Sequence, residues 1–143
     1  MKEIKTSSGR ETIQVAKKFS KALKPGNVLL LKGNLGSGKT TFVKGIVEGL
    51  SGAKESEVTS PTFVIMHHYK GKIPVYHFDL YRLETQHELE AIGFDEFIND
   101  PAAISCIEWP EKAGAMLPPD ALTVNFEFVE GEERMIRLPE TGR

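Results

Sequence analysis

The sequence contains little of several residue types, and each shortage restricts what the chain can be. A single cysteine, Cys106, excludes an internal disulfide, and its apolar surroundings suggest a buried thiol in a cytosolic protein. The longest strictly apolar runs are four residues, far below the roughly 20 that a membrane helix needs. The first residues lack the apolar core of a signal peptide. We therefore expect one cytoplasmic domain, residues 1–143, without a membrane-spanning segment.

The sequence also lacks an excess of positive charge, since 18 Lys and Arg residues against 20 Asp and Glu residues give a formal net charge of −2. The lysines between residues 17 and 24 have helical spacing and are interpreted as a solvated helix face. No stretch of clustered Lys and Arg residues is visible beyond this face, so the chain is not expected to bind nucleic acid by itself. Any contact with RNA is expected to be made by a partner protein. The four histidines lack a metal-ligand spacing with cysteine or paired carboxylates, which argues against a zinc site.

The most informative stretch that is present is Gly-Asn-Leu-Gly-Ser-Gly-Lys-Thr at residues 33–40. It fits G-x-x-x-x-G-K-[ST], the phosphate-binding loop (P-loop) of nucleotide hydrolases and kinases. An apolar run at 28–31 precedes it, as in a buried parallel strand, and Phe42, Ile46 and Leu50 follow at helical spacing. Strand, glycine-rich loop and helix occur in the order that this motif requires. The sequence therefore predicts a nucleoside triphosphate site.

Each part of the motif has an expected role. The glycines let backbone N–H groups turn inward to meet phosphate oxygens, and the helix adds its free first-turn donors. Lys39 is expected to reach the β- and γ-phosphates, and the Thr40 hydroxyl to ligate Mg²⁺. The residues predicted to bind the nucleotide are Gly33, Leu35, Gly36, Ser37, Gly38, Lys39, Thr40 and Thr41.

The remaining pattern predicts an α/β fold with a mixed parallel and antiparallel sheet flanked by helices. A strand is expected at 2–6, and a helix capped by Ser8 and Glu11 should run to Pro25-Gly26. Two β-hairpins are expected, at 62–79 and 121–138, with a buried strand at 103–107 between them. Residues 84–91 favour a helix, and residues 94–102 an irregular segment or a short helical turn.

A P-loop needs an acidic partner for the magnesium shell, normally at the end of a neighbouring strand. Two carboxylates follow apolar strands here, Asp79 and Glu108. Glu108 is one methylene longer than the usual aspartate, so it could touch the metal directly or hold one of its waters. Lys39, Asp79 and Glu108 are the catalytic candidates, with Thr40 and Glu108 as metal ligands.

Four motifs in order make a resemblance specific: GNLGSGKTTF at 33–42, SPTF at 60–63, HFDLYR at 77–82 and EWPE at 108–111. Together they resemble the TsaE (YjeE) family, small ATPases of bacterial threonylcarbamoyladenosine synthesis on tRNA. The resemblance covers nearly the whole chain and implies a compact P-loop domain, ATP and Mg²⁺ as cofactors, and the TsaD and TsaB proteins as partners. Contact with tRNA would then be indirect, through that complex.

The resemblance also implies roles for particular positions. Residues 33–41 would hold the phosphates, and Thr40 with Glu108 the magnesium. Asp79 would lie in a switch-like loop near the γ-phosphate, and Trp109 against the site. Thr62 in the SPTF turn is a candidate phosphate sensor. Judged from the residues alone, His77 and Arg82 flank Asp79 and could orient it or face a partner. Arg82 could equally be a surface ion-pair residue.

Three functions compete at this point. The first is an ATPase that drives a partner complex, the second is a small-molecule kinase, and the third is a nucleotide-gated interaction module without catalysis. A kinase usually needs an arginine-rich lid, and no cluster of arginines is present to form one. Intact Lys39 and Thr40 argue against the third. The ATPase is therefore ranked first.

Overall fold

A seven-stranded mixed sheet forms the centre of the structure, a computed structural model that describes residues 2–52 and 65–141. In these residues the strands are β1 (Lys2–Thr6), β2 (Val28–Lys32), β3 (Met66–Tyr69), β4 (Val75–Asp79), β5 (Ile104–Glu108), β6 (Leu122–Glu130) and β7 (Glu133–Leu138). Their order across the sheet is β1-β7-β6-β2-β5-β4-β3. The predicted α/β fold with a mixed sheet is confirmed.

The middle of the sheet is parallel. β2 pairs with β5 on one side and β6 on the other, and β4 pairs with β5. The register places Leu31 opposite Glu108, and Glu108 opposite Asp79. The carboxyl ends of β2, β4 and β5 therefore meet at one edge, where ligands bind in open α/β sheets.

Both flanks of the sheet are antiparallel. β3 pairs with β4, with His67 opposite His77, and β6 pairs with β7. Both predicted hairpins are confirmed, except that residues 62–64 of the first lie outside the described residues. The strand β1 is also confirmed, and it pairs antiparallel with β7 at the far end of the chain.

Helices α1 (Gly9–Ser20) and α2 (Lys39–Leu50) pack together on one face of the sheet. Ser8 Oγ accepts the Glu11 backbone N–H at 3.2 Å, so the predicted N-cap is confirmed. The predicted end at Pro25-Gly26 is wrong, because α1 stops at Ser20. Beyond it the N–H groups of residues 21–23 bond three residues back in tighter turns, and Leu23 is still buried in the core.

Two short helices, α3 (His87–Ala91) and α4 (Phe94–Ile98), cover the other face. The helix expected over 84–91 begins only at His87, because the Glu88 carboxylate accepts the N–H groups of Glu84 and Thr85 and holds them in a preceding turn. The segment 94–102 does contain the short helical turn that was allowed for. Two short 3₁₀ helices, Pro110–Lys112 and Gly114–Met116, follow β5.

The core divides into two layers, one on each face of the sheet. Leu29 and Leu31 point to α1 and α2, whereas Leu30 points to the layer that contains Phe78 and Phe94. Covering on both faces explains why β2 is a continuous apolar run and not an alternating one. Cys106 is buried and unpaired as expected, and burial raises the pKa of its thiol. No helix in residues 2–52 or 65–141 is both long and apolar enough to cross a membrane.

Candidate functional site

The loop between β2 and α2 has the backbone that its glycines allow. Gly36 and Gly38 have φ values of 75° and 104°, in the left-handed region where side chains are strained. Gly33 has no room for a side chain, because a Cβ there would lie 2.6 Å from Ser37 Oγ and 2.8 Å from the Phe126 carbonyl oxygen. The loop thus delivers Lys39 as the first residue of α2.

Lys39 is only 5% exposed and is held from two sides. Its Nζ donates to the Gly33 carbonyl oxygen and lies 3.6 Å from the centroid of the Trp109 ring. Burial lowers the pKa of the Lys39 ammonium, while the charges of Glu108, Asp79 and Glu111 act in the opposite direction. The loop therefore holds a partly desolvated cation close to several carboxylates.

Trp109 adopts an unusual backbone conformation in order to reach this position. Its φ of 58° lies in the left-handed region, which a bulky residue rarely occupies. Its ring also packs at a tilt against Tyr81, with the ring centroids 5.0 Å apart, and Tyr81 lies two residues beyond the end of β4. Backbone strain of this kind is common at functional sites, and here it brings an aromatic face to Lys39.

Glu108 ends the fully buried strand β5 and is itself nearly completely buried. Its Oε2 accepts the Thr40 hydroxyl at 2.9 Å and lies 2.6 Å from His77 Nε2. One carboxylate oxygen is therefore bound to the P-loop helix and to the neighbouring strand β4 at once.

Asp79 stands beside Glu108 in the register but has different surroundings. It is half-buried, and its Oδ1 accepts the Tyr81 N–H at 3.1 Å. Burial raises the pKa of the Asp79 carboxyl and the Glu108 charge adds to the rise, whereas the Tyr81 N–H and the Lys39 charge oppose it. Glu108 is thus tied to the P-loop helix, whereas Asp79 is tied to the loop after its own strand.

A cleft of about 430 Å³ opens over these groups. It is lined by Ser8, Gly9, Thr12, Leu35, Gly36, Ser37, Gly38, Lys39, Thr40, Thr41, Asp79, Tyr81, Glu108, Trp109, Glu132 and Arg134. Of the residues predicted from the motif, all but Gly33 line the cleft, and Gly33 lies beneath it as the acceptor for Lys39. Both candidate carboxylates are also in the lining.

Two features of the site were not predicted. Arg134 of β7 reaches the loop, where its Nε donates to the Gly36 carbonyl oxygen at 2.9 Å. His77 is completely buried and contacts Glu108, whereas the sequence had suggested Asp79 or a partner. No pattern in the sequence links Arg134 to the motif. For His77, one signal was available in the apolar residues on both sides of it, which suggest a fully covered strand.

Two other candidates play no described part in the cleft. Thr62 and the whole SPTF segment lie outside the described residues. Arg82 is exposed and is not in the cleft lining.

The donor set can be tested against Mg²⁺. This ion usually takes one or two protein oxygen ligands and completes its shell with phosphate oxygens and waters. Thr40 and Glu108 supply one hydroxyl and one carboxylate, 2.9 Å apart and open to the cleft. No group of three or more His, Cys, Asp and Glu side chains in the described segments could hold a metal ion without such help. The residues present fit a phosphate-bound magnesium ion.

Comparison with known proteins now assigns the family. The family model "Threonylcarbamoyl adenosine biosynthesis protein TsaE" matches residues 6–136. The chain belongs to the TsaE family. This family takes part in the biosynthesis of threonylcarbamoyladenosine on tRNA.

Individual TsaE proteins agree with this assignment along most of their length. The chain is 39% identical to the tRNA threonylcarbamoyladenosine biosynthesis protein TsaE of Bacillus subtilis, covering 99% of this chain and 89% of that protein. It is 36% identical to TsaE of Rickettsia prowazekii, covering 92% and 90%. The crystal structure of Bacillus subtilis YdiB superimposes with a TM-score of 0.77 at 33% identity, covering 99% of this chain and 86% of that one. The resemblance to TsaE noted in the sequence is confirmed.

Proposed function

We propose that this TsaE family member is the Mg²⁺-dependent ATP-binding and ATP-hydrolysing component of tRNA threonylcarbamoyladenosine synthesis, acting on a TsaD–TsaB complex. The observation that carries the proposal is the convergence of Lys39, Thr40, Asp79 and Glu108 on one cleft beside a P-loop. These residues come from three different elements, and together they provide what phosphoryl transfer requires.

Binding of the triphosphate follows from the loop. Backbone N–H groups at the start of α2 and the positive end of the helix dipole favour negative charge in the cleft. The Lys39 ammonium is poorly hydrated where it lies, so phosphate oxygens would replace the Gly33 carbonyl as its acceptor at little cost.

Hydrolysis follows from the acidic side of the cleft. Thr40 and Glu108 would hold Mg²⁺, which neutralises charge on the phosphate oxygens when it is bound. Lys39 stabilises the charge that develops on the transferred phosphoryl group. Asp79 is half-buried and opens to the same cleft, so it is the group we assign to orienting the attacking water.

The partner and the compartment are part of the same proposal. The family's reaction is on tRNA, whereas a net charge of −2 gives the chain no overall attraction for that polyanion, so a TsaD–TsaB complex is the proposed contact. Since tRNA modification and a lone reduced thiol both suit the cytoplasm, we place the protein there.

The proposal is tested by a lysine substitution with a matched control. Lys39→Ala should lower ATP turnover by about 10²–10³-fold or more, because one charge-stabilising donor in an active site is commonly worth that much. The control is Lys18→Ala, which removes an exposed lysine of α1 that does not line the cleft. Both should be measured by phosphate release and by formation of modified tRNA with TsaD–TsaB. Full activity in Lys39→Ala would overturn the active-site assignment.

A further inference from the structure

We propose that His77 is a positioning residue that holds the Glu108 carboxylate at the magnesium site, an inference that rests on the proposed function. His77 and Glu108 lie on adjacent strands, β4 and β5, and both side chains are buried. The His77 Nε2 to Glu108 Oε2 distance is 2.6 Å, shorter than the 2.9 Å from Thr40 Oγ1 to the same oxygen.

The direction of this hydrogen bond follows from the other ring nitrogen. His77 Nδ1 is buried and has no hydrogen-bond partner among the described residues. A hydrogen on Nδ1 would be a buried, unsatisfied donor, whereas a bare lone pair there is the smaller penalty. A neutral ring with its hydrogen on Nε2 leaves no unsatisfied donor at Nδ1 and supplies a donor to the carboxylate. We therefore assign Nε2 as the donor and Glu108 Oε2 as the acceptor.

Such an anchor has a clear physical use at this position. Thr40 itself is a proposed metal ligand, so its bond to Glu108 competes with the cation. His77 holds Oε2 from the neighbouring strand whether or not Thr40 turns to the metal. Oε1 of Glu108 has no protein partner in the described segments and is free to meet the cation or one of its waters. Groups that orient a metal-ligating side chain in this way typically contribute 10–100-fold in metal affinity.

His77 also connects the two carboxylates of the site. Residues 77 and 79 point to the same face of β4, because side chains alternate along a strand. The bond from His77 to Glu108 therefore fixes the spacing between the magnesium ligand and the strand that ends in Asp79.

Two variants separate positioning from mere packing. His77→Leu keeps the volume of a buried side chain and removes the donor, whereas His77→Gln keeps an amide N–H that can reach the place of Nε2. ADP affinity should be measured by titration calorimetry in Mg²⁺ and again in EDTA. We expect His77→Leu to need 10–100-fold more Mg²⁺ for the same ADP binding, with the affinity in EDTA unchanged. His77→Gln should retain most of the wild-type magnesium dependence.

A double variant of His77 and Glu108 provides the second measurement, which is again the magnesium dependence of ADP binding. In a Glu108→Gln background, His77→Leu should add little further loss, since residues that act through one another are not additive. If His77→Leu does not fold, His77→Asn takes its place, because its amide is too short to reach Glu108 as Nε2 does.

Unchanged magnesium dependence in the variant that lacks the donor would overturn the inference. So would an equal loss of ADP affinity with and without Mg²⁺, which is the signature of a structural role. Failure of the wild-type protein itself to bind ADP in a Mg²⁺-dependent way would instead overturn the proposed function, and the inference with it.

Discussion

At the scale of single residues, the site depends on opposite charges placed in poorly hydrated surroundings. Lys39 is buried between a carbonyl oxygen and an indole ring, and the carboxylates of Asp79 and Glu108 are close enough to influence the pKa of its ammonium. Charges in such surroundings interact more strongly than they would in water. A triphosphate with its magnesium ion brings both signs of charge, so it can pair with the lysine and the carboxylates together.

The two carboxylates should respond differently to removal. Glu108→Ala is expected to weaken the magnesium dependence of nucleotide binding more than Asp79→Ala, since Glu108 accepts the Thr40 hydroxyl and ends the fully buried strand β5. Asp79→Ala should chiefly lower turnover, by about 10²-fold or more if it orients the attacking water. Titrating Mg²⁺ against nucleotide binding, with single-turnover hydrolysis beside it, measures both effects. The isosteric Glu108→Gln and Asp79→Asn serve as controls for shape, and the reverse ordering would show that the roles are exchanged.

The sequence indicated both carboxylates because the carboxyl ends of parallel strands meet at one edge of the sheet. It did not indicate what His77 contacts. The apolar residues beside His77 suggest a strand covered on both faces, but they do not say which group of the neighbouring strand its ring nitrogen contacts. Arg134 was beyond prediction for another reason, since its bond to Gly36 joins residues 98 positions apart.

At the scale of elements, the hairpin of β6 and β7 supports the P-loop from the side. Arg134 donates from Nε to the Gly36 carbonyl oxygen and from its guanidinium to the Gly131 and Glu133 carbonyl oxygens. The guanidinium also lies 4.8 Å from the centroid of the Phe128 ring. These contacts connect the turn of the β6–β7 hairpin to Gly36 of the P-loop.

Removing this contact should loosen the loop. Arg134→Ala is expected to weaken nucleotide binding about 3- to 10-fold, because a hydrogen bond from a half-exposed charged group is worth roughly 1 kcal/mol. Arg137→Ala is the matched control: Arg137 is also on β7, but it pairs with Glu3 and Glu127 away from the cleft. Calorimetric titration with ADP compares the two variants. Equal losses in both would mean that the hairpin acts only through general stability.

The contact between α1 and α2 permits a prediction about stability. A Cβ on Gly45 would lie 2.4 Å from the Ile13 carbonyl oxygen, which is backbone and cannot move aside easily. A Cβ on Gly49 would chiefly meet the Ser20 hydroxyl at 2.1 Å, the end of a side chain that can rotate.

Gly45→Ala should therefore lower the free energy of unfolding by about 1–3 kcal/mol, the usual cost of overpacking. Gly49→Ala should cost less, because both variants gain the same roughly 1 kcal/mol in helix propensity, but the shortest contact of the Gly49 Cβ is with a hydroxyl that can turn away at the expense of its hydrogen bond. Urea unfolding of both variants checks the ordering. A Gly45→Ala protein as stable as the wild type would show that the two helices can separate without penalty.

The elements themselves were largely predictable, and their arrangement was not. Caps, turns and apolar runs indicated the strands and helices, because these signals are local. The pairing of β1 with β7 and the insertion of β2 between β5 and β6 depend on contacts across the whole chain. The predicted end of α1 was wrong because burial was taken for helical structure. Leu23 continues the apolar pattern since it is buried in the core, although the helix has already ended at Ser20.

At the scale of the whole molecule, charge and architecture together limit what the protein can do alone. The net charge of −2 gives the chain no overall attraction for a polyanion. Within the described residues, Arg134 is the arginine in the cleft lining, and its Nε and guanidinium already hold three backbone carbonyl oxygens. The charge of a developing transition state would therefore lack a free arginine from this part of the chain.

We therefore expect the isolated protein to hydrolyse ATP slowly and its partners to raise the rate. An arginine supplied in trans to a P-loop site can be worth roughly 10³–10⁵ in rate. Turnover should be measured for the protein alone, with TsaD–TsaB, and with tRNA alone. We expect stimulation by the protein pair and none by bare tRNA, because tRNA offers neither a cation nor a complementary surface to an acidic chain.

Fast turnover by the isolated protein, or equal stimulation by bare tRNA, would contradict the partner-dependent mechanism. Lys39→Ala in the same three mixtures identifies the turnover that belongs to this cleft, since a contaminating ATPase would not respond to the substitution.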